Sequence, residues 1–268
     1  WQYANEFSIT VCIFINKLER ERGDFERTVE DVQKNFTDTN PLVIQFPMGK
    51  EESLRGVVDL LSMKAYVYKD DGSGGFDRID IPSEFQAEAN KYREKLVEIA
   101  VEMDDEVMER YLNGDEIKEE EIEKCLKDGI WTRRIAPIMC GSAAKNIGIN
   151  TLLDNIVRCF PPPTYKNEVE GLDPKTGNTL KRKIKSDEPF SAFVFKTITD
   201  PFAGKLTLFK IYSGEIHPDM TVLNVSKDEK ERIGQIFFLV GKKQKSAGFA
   251  SAGDIAVLSK LKDVGTGD

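Results

Sequence analysis

Apolar and polar positions fall into blocks along the chain, and the period of the blocks changes in a readable order. Residues 9–15 (ITVCIFI) are an almost unbroken β-branched and apolar run, the pattern of a buried parallel strand. Behind Gly23, Asp24 can cap a helix whose Phe25, Val29, Val32 and Phe36 trace one face at helical spacing. Leu42 to Phe46 predicts a second short strand, ended by Pro47, so the order strand, helix, strand indicates α/β construction. The period then shifts. GVVDLL (56–61) and MKAYVYK (63–69) read as strands, followed by the Gly-rich turn DDGSGG and the run RIDIP. A helix is predicted from near Ser83 to about Val101, then two more, with breaks at Asn113-Gly114 and Asp128-Gly129. Asp115 is expected to head the last of these, its charge suiting the helix dipole. IAPIMC (135–140) is a strand again. The helix expected from about Asn150 to Phe160 should turn Leu152, Leu153, Ile156 and Val157 inward before Pro161 to Pro163 stop it.

After a polar segment bearing Gly and Pro, the runs FSAFVFKTI, KLTLFKIYS, TVLNV, ERIGQIFFLV and DIAVLSKL alternate with turns at intervals of about ten residues, which predicts a small barrel. The predicted organisation is an α/β portion over 1–46 and 134–163, an α+β insert over 47–133, a linker over 164–187 and an all-β barrel over 188–268. A length of 268 residues agrees with about two domains.

Composition narrows the class. A content of 40% hydrophobic and 31% charged residues is that of a globular protein and too apolar for a disordered one. No apolar run reaches the roughly 18 residues of a membrane-spanning helix, and no charged-then-apolar leader marks the chain for secretion. The chain starts at Trp1 within a helix-like pattern, so a fragment of a longer protein is expected. The net charge of -8 is local: residues 102–123 hold eleven acidic and two basic side chains, whereas 181–268 hold fifteen basic and eleven acidic. Cys12, Cys125, Cys140 and Cys159 form no CxxC pair, and His217 is the single histidine, so reduced thiols without structural zinc are expected. One histidine in a turn-like segment also argues against a Ser-His-Asp enzyme.

Two turns carry candidate chemistry. Asn16-Lys17-Leu18-Glu19 follows the first apolar strand, and ligands of open α/β sheets bind at strand carboxyl ends. There Asn16 could tie loops together, the Lys17 stem could lie under a purine ring, and the Glu19 carboxylate could accept two N–H bonds, a pair of adjacent donors that guanine offers. Gly141-Ser142-Ala143 also follows a strand, and its small residues let backbone N–H groups approach a ligand. Each string alone is equally an ordinary strand-to-helix turn. Asp104, Asp105 and Glu106 are consecutive on a helix and point in different directions, which fits a solvated face better than a cation site. Lys181, Arg182, Lys183, Lys185, Lys242, Lys243 and Lys245 admit either a nucleic-acid surface or scattered surface charge.

FINKLERERGDF, VIQFPMGKEESLRGVVDLLSMKAYVY, MCGSAAKNIGINTLLDNIVRCFPPP and TDPFAGKLTLFKIYSGEI together resemble the elongation factor G family of translational GTPases, in order and along essentially the whole chain. ERERGDF and Glu19 look closest to the elongation-factor-G-like paralogues. The resemblance implies that Asn16, Lys17 and Glu19 correspond to the family's guanine-reading Asn-Lys-x-Asp, and Ser142 and Ala143 to its Ser-Ala turn, with Lys145 peripheral. It implies that 1–46 and 134–163 are the C-terminal portion of a G domain, 47–133 its insert, and 188–268 domain II. It further implies GTP or GDP with magnesium as ligands of the intact protein. The implied partners are the ribosome, through ribosomal RNA at domain II and through the stalk protein at 102–123. A monomeric, cytoplasmic protein without membrane or DNA partners is implied as well.

Two departures qualify the resemblance. Glu19 stands where the family usually has Asp, and its extra methylene carries the carboxylate further toward a base unless the side chain folds back. The phosphate-binding string G-x-x-x-x-G-K-[ST] is absent, as are the family's switch segments; these are expected upstream of Trp1. This chain alone is therefore expected not to hydrolyse GTP and to bind little nucleotide. A stand-alone ribosome- or stalk-binding module without nucleotide binding, and a related release-factor or ribosome-protection GTPase, remain the alternatives.

Overall fold

A computed structural model describes residues 1–173, 176–200, 204–241 and 243–268. The chain divides into two compact units, Trp1–Pro161 and Pro162–Asp268. The first begins with α1 (Gln2–Glu6), β1 (Ile13–Ile15), α2 (Phe25–Asn35) and β2 (Asn40–Val43). It continues with β3 (Gln45–Met48), β4 (Gly56–Asp59), β5 (Lys64–Tyr68) and β6 (Phe76–Ile79). Then follow α3 (Ser83–Val101), α4 (Asp105–Leu112), α5 (Glu119–Trp131), β7 (Ile135–Cys140) and α6 (Ile149–Cys159). Asp24 caps α2 as its sequence suggests, its carboxylate accepting the Arg27 N–H at 3.0 Å.

Two sheets share this unit. One is parallel, in the order β1-β7-β2, and the other antiparallel, in the order β3-β4-β5-β6. The strand expected over Leu42 to Phe46 is in fact two, because the chain leaves one sheet for the other at Ile44. The Ile44 N–H donates to the Ile138 carbonyl of β7 at 3.0 Å, while its own carbonyl accepts the Leu60 N–H at 3.0 Å. Gln45, wholly buried, fastens the junction from its side chain. Its Nε2 donates to the Thr151 hydroxyl of α6 at 2.5 Å and its Oε1 accepts the Cys140 N–H of β7 at 3.3 Å. A buried amide with donors and acceptors both paired holds β3, β7 and α6 in one arrangement.

Several expectations need correction. Of the apolar run 9–15 only Ile13–Ile15 pairs, with Ile138, Met139 and Cys140 of β7. Asp128-Gly129 does not break a helix: α5 runs through it. Gly129 is there for packing, since a Cβ would sit 2.5 Å from Ile135 Cδ1 and 3.1 Å from Met103 Cγ. Asp115 does not head α5, which starts at Glu119 behind Lys118. In α6 the buried positions are Thr151, Asn155 and Cys159, with Leu152 half-buried. Leu153, Ile156 and Val157 instead face solvent, Val157 at 86% exposure. The Thr151 bond to Gln45 sets this rotation, turning a polar residue inward at the cost of the apolar stripe. The four cysteines carry free thiols, and Cys12 is only half-buried.

The second unit is all β. The polar segment expected as a linker contains a hairpin, β8 (Glu168–Leu172) with β9 (Thr179–Lys183). Then come β10 (Ser191–Asp200), β11 (Gly204–Ser213), β12 (Glu215–Ile216), β13 (Thr221–Asn224) and β14 (Glu229–Arg232). The last strands are β15 (Ile236–Val240), β16 (Lys243–Ala247), β17 (Ala250–Ser251) and β18 (Ile255–Ser259). Among the described residues the hydrogen bonding gives an open five-stranded antiparallel sheet, β10-β11-β18-β15-β16, with ribbons β12-β17 and β13-β14, rather than a closed barrel. Phe209, Ile211, Ile216, Ile236, Ala256 and Leu258 centre its core.

Glu123 of α5 ties that helix to α6 by pairing with Arg158, and also pairs with Lys127 at 2.8 Å. The Arg158 hydrogen bond, opposed by burial and helped by Lys127, pulls the Glu123 carboxyl down from 4.5 to about 2. A depressed carboxyl stabilises the fold above its unfolded pKa and loses that contribution as pH falls through the folded one. Glu123→Gln should lower the unfolding free energy by about 1 kcal/mol near neutral pH. In urea titrations the difference should shrink as pH drops from 4.5 toward about 2; a penalty constant over that range would contradict the assignment.

Candidate functional site

The turns after β1 and β7 lie side by side because their strands are paired in register, Ile15 opposite Cys140. The Gly141 N–H donates to the Ile15 carbonyl at 3.0 Å, continuing the ladder one residue past the strand. Beyond it the Asn16 side chain takes over. Its Oδ1 accepts the Lys17 N–H at 2.8 Å and the Ala143 N–H, across 127 residues of sequence, at 2.9 Å. Asn16 thus ties the two loops, the task its position suggested. The Ala143 N–H, expected to be open to a ligand, is engaged by Asn16 instead, so a ligand carbonyl would have to exchange with that side chain.

The turn after β7 is narrow because glycine makes it so. A Cβ on Gly141 would lie 2.2 Å from the Ile147 carbonyl oxygen, and one on Gly148, at φ +78, 2.4 Å from that of Cys140. Ser142 and Ile147 exchange backbone hydrogen bonds at 2.9 Å in each direction, closing the loop, and the buried Ser142 hydroxyl accepts the Lys145 N–H at 3.1 Å. The Gly-rich hairpin tip between β5 and β6 also reaches this loop, for a Cβ on Gly74 would meet Asn146 Nδ2 at 2.4 Å.

Lys17 is exposed and sits at φ +65, a left-handed conformation that turns the chain sharply after Asn16. Leu18 is buried at 3% exposure and anchors the turn in the core. Glu19 is largely withdrawn from solvent: its side chain is 10% exposed, with Oε1 3.9 Å from Arg20 Nε. Burial disfavours its charge, but the Ser142 hydroxyl, its own backbone, Arg20 and Lys145 outweigh burial and hold the carboxyl below the ordinary glutamate value. The second oxygen, Oε2, is buried without a hydrogen-bond partner. The cluster therefore holds a carboxylate whose Oε2 is buried without a protein donor, beside an exposed lysine and two small residues. Asn16, Lys17, Glu19, Ser142 and Ala143, chosen from sequence, form one cluster.

Sequence reasoning missed the supports of this cluster. Gln45, whose side chain accepts the N–H of the last β7 residue, gave no signal beyond being polar within an apolar run. Glu51 was equally hidden, within a charged turn after β3. Its N–H donates to the Leu18 carbonyl at 2.8 Å and its Oε1 accepts the Arg22 N–H at 2.8 Å. Gly23 is also fitted to the turn, with Leu18 Cα 3.1 Å and the Lys17 carbonyl oxygen 3.1 Å from where a Cβ would be.

Elsewhere the candidate surfaces differ in how much charge they leave free. Within 102–123, Asp104 caps α4 and pairs with Lys124, while Glu119, Glu121 and Glu123 pair with Arg93, Arg110 and Arg158. Glu102, Asp105, Glu106, Glu109, Glu116 and Glu120 are exposed and enter no ion pair among the described residues. In the second unit Lys181 pairs with Glu168 at 2.8 Å and Glu170 at 3.0 Å, which removes it from any open basic surface. Lys243 and Lys245 lie exposed on β16, and Lys242 falls outside the described residues. Cavities of about 400 Å³ beside Arg133 and about 270 Å³ beside Tyr92 involve none of the five clustered residues. Among the described residues no group of three or more His, Cys, Asp or Glu could hold a metal ion, and no helix is long and apolar enough to cross a membrane.

Comparisons with known proteins bear on both units. Residues 1–162 match the family described as elongation factor Tu GTP binding domain, and residues 189–268 that described as elongation factor G domain 2. Elongation factor G of Orientia tsutsugamushi (strain Ikeda) is 40% identical over 269 residues, covering 100% of this chain and 38% of that protein. The chain thus spans well under half the length of that relative. A crystal structure of a Thermus thermophilus protein matches 100% of this chain and 36% of its own, with a TM-score of 0.81 at 24% identity, a likeness of fold alone.

The geometry predicts that Asn16→Ala costs about 0.5–1 kcal/mol in urea unfolding, the scale of one solvent-exposed hydrogen bond. Hydrogen exchange should show the Ala143 amide losing protection in that variant, and Asn16→Asp, which keeps the acceptor, restoring it. Unchanged protection in Asn16→Ala would mean the two loops are joined by something else.

Proposed function

The chain belongs to the elongation factor Tu GTP-binding-domain family, with homology to elongation factor G along its length, and from that premise we propose that it forms the base-reading part of the guanine-nucleotide site of a translational GTPase acting on the ribosome. The observation that carries this reading is the single cluster of Asn16, Lys17, Glu19, Ser142 and Ala143, with Glu19 ionised and its Oε2 lacking a protein donor. In the proposed role the Glu19 carboxylate accepts the adjacent N1–H and N2–H of guanine, and the Lys17 stem lies under the ring. GTP or GDP with magnesium is the ligand of the whole protein under this reading. The base half of the site fits these residues, whereas the chain offers no phosphate loop and no clustered metal ligands among the described residues, so no hydrolytic step is assigned to it.

The further parts follow the same homology. Residues 1–46 and 134–163 serve as the C-terminal portion of the G domain, 47–133 as its insert, 164–187 as linker and 188–268 as domain II. The whole protein works in the cytoplasm on ribosomes, using GTP to drive a step of protein synthesis. The exposed acids of α4 and α5 form a docking surface for the ribosomal stalk protein, and the β-rich unit contacts ribosomal RNA through backbone and shape more than sequence. The long-range field of unpaired carboxylates suits rapid, salt-sensitive association.

Two measurements test the proposal in the full-length protein carrying this sequence. Calorimetric titration should show GDP binding well over ADP, with the preference lost in Glu19→Ala; equal affinity of the wild type for both nucleotides would remove the guanine reading. Stalk-protein binding should weaken steadily as added salt shortens the screening length from about 10 to about 3 Å. A salt-independent affinity would point to apolar contacts instead.

A further inference from the structure

The turn after β3 is held in conformations that side chains avoid. Gly49 sits at φ +90, and a Cβ there would fall 2.3 Å from the Ser53 carbonyl oxygen. The Ser53 hydroxyl donates to the Lys50 carbonyl at 2.7 Å and accepts the Lys50 N–H at 3.1 Å, locking the turn from inside. Within it Glu51 adopts φ +51. A non-glycine residue pays free energy for that left-handed backbone, and such strain persists where the surroundings require it. Glycine would fit the turn at lower conformational cost, so the glutamate side chain supplies something the turn itself does not need.

Its contacts identify what that is. The Glu51 N–H donates to the Leu18 carbonyl at 2.8 Å, and its Oε1 accepts the Arg22 N–H at 2.8 Å. Leu18 and Arg22 bracket Glu19 in sequence, one immediately before it and one three residues after. Between them the chain closes on itself, the Arg20 N–H donating to the Lys17 carbonyl at 3.1 Å and the Gly23 N–H to that of Arg20 at 2.9 Å. A short, self-bonded turn gripped at both ends can only move as a body. We propose that Glu51 is a positioning residue for the base-reading turn, fixing Leu18 and Arg22 and through them the Glu19 carboxylate. This role rests on the guanine reading above and names a determinant of its specificity that lies outside both motif turns. The backbone half of the grip survives any side chain except proline; the carboxylate half is what substitution removes.

The test compares the full-length wild type with Glu51→Gly and Glu51→Gln, titrating GDP, IDP and ADP and recording thermal unfolding. IDP lacks the 2-amino group, so the GDP-to-IDP ratio reports where the Glu19 carboxylate sits. Glu51→Gly relieves the left-handed backbone and should unfold at an unchanged or higher temperature. Its GDP-over-IDP preference should nonetheless fall about tenfold or more, the scale of a charge-assisted hydrogen bond. Glu51→Gln keeps an oxygen acceptor for Arg22 and should retain most of the preference. Wild-type preference in Glu51→Gly would overturn the role, as would a loss that merely follows a drop in unfolding temperature. A wild type with no preference for GDP over ADP would instead remove the guanine reading, and this role with it.

Discussion

Ile44 donates its N–H to the parallel sheet and lends its carbonyl to the antiparallel one, and the first unit is organised around that handover. A strand that changes partners at a single wholly buried residue leaves no slack between the two sheets. The next residue, Gln45, uses both ends of its amide to reach the last residue of β7 and the first turn of α6. Because β7 ends in the Ser142-Ala143 turn and lies beside β1, which ends in Asn16, the placement of both turns descends from this junction. An amide buried among apolar groups is tolerable only when its donor and acceptor are paired, so the junction is specific as well as tight.

The sequence disclosed this organisation unevenly, for physical reasons. The strand β7, the Asp24-capped helix α2 and the helix α3 follow from local pattern, because their local preference and their tertiary role agree, whereas β1 is shorter than its apolar run. The division at Ile44 is invisible in an apolar run, since nothing in side-chain pattern says which sheet a backbone group will bond. Gly129 misleads in the opposite way. Glycine usually ends helices by its freedom, but in α5 it is selected for lacking a Cβ where Ile135 and Met103 approach. Periodicity misplaces the inward face of α6 because Thr151 has a polar partner across the core, which a hydrophobic pattern cannot register. The five clustered residues were legible because they follow strands directly; their supports Gln45 and Glu51 were not, because each acts through contacts distant in sequence.

Around the clustered turns the chain repeatedly accepts backbone conformations with positive φ, at Lys17, Glu51, Asn146 and Gly148. Each is over-determined by neighbours: the self-bonded Lys17 turn, the Ser53 brace, the Ser142–Ile147 pair and the crowding of Gly148 against the Cys140 carbonyl. Local strain distributed in this way gives a rigid rim while the central polar groups remain few. The proposed insert contributes to the rim from two sides, through Glu51 and through the hairpin tip at Gly74, so it is more than an appendage on the sheet.

The outward stripe Leu153, Ile156 and Val157 on α6 has a consequence of another kind. Removing such side chains from water lowers heat capacity, whereas bringing together carboxylates and basic groups on the α4–α5 surface does so far less. Any macromolecule that settles on the stripe will therefore bind with an enthalpy that grows more favourable on warming. One that settles on the acidic helices will show a flatter temperature response, giving the two faces of this unit different calorimetric signatures.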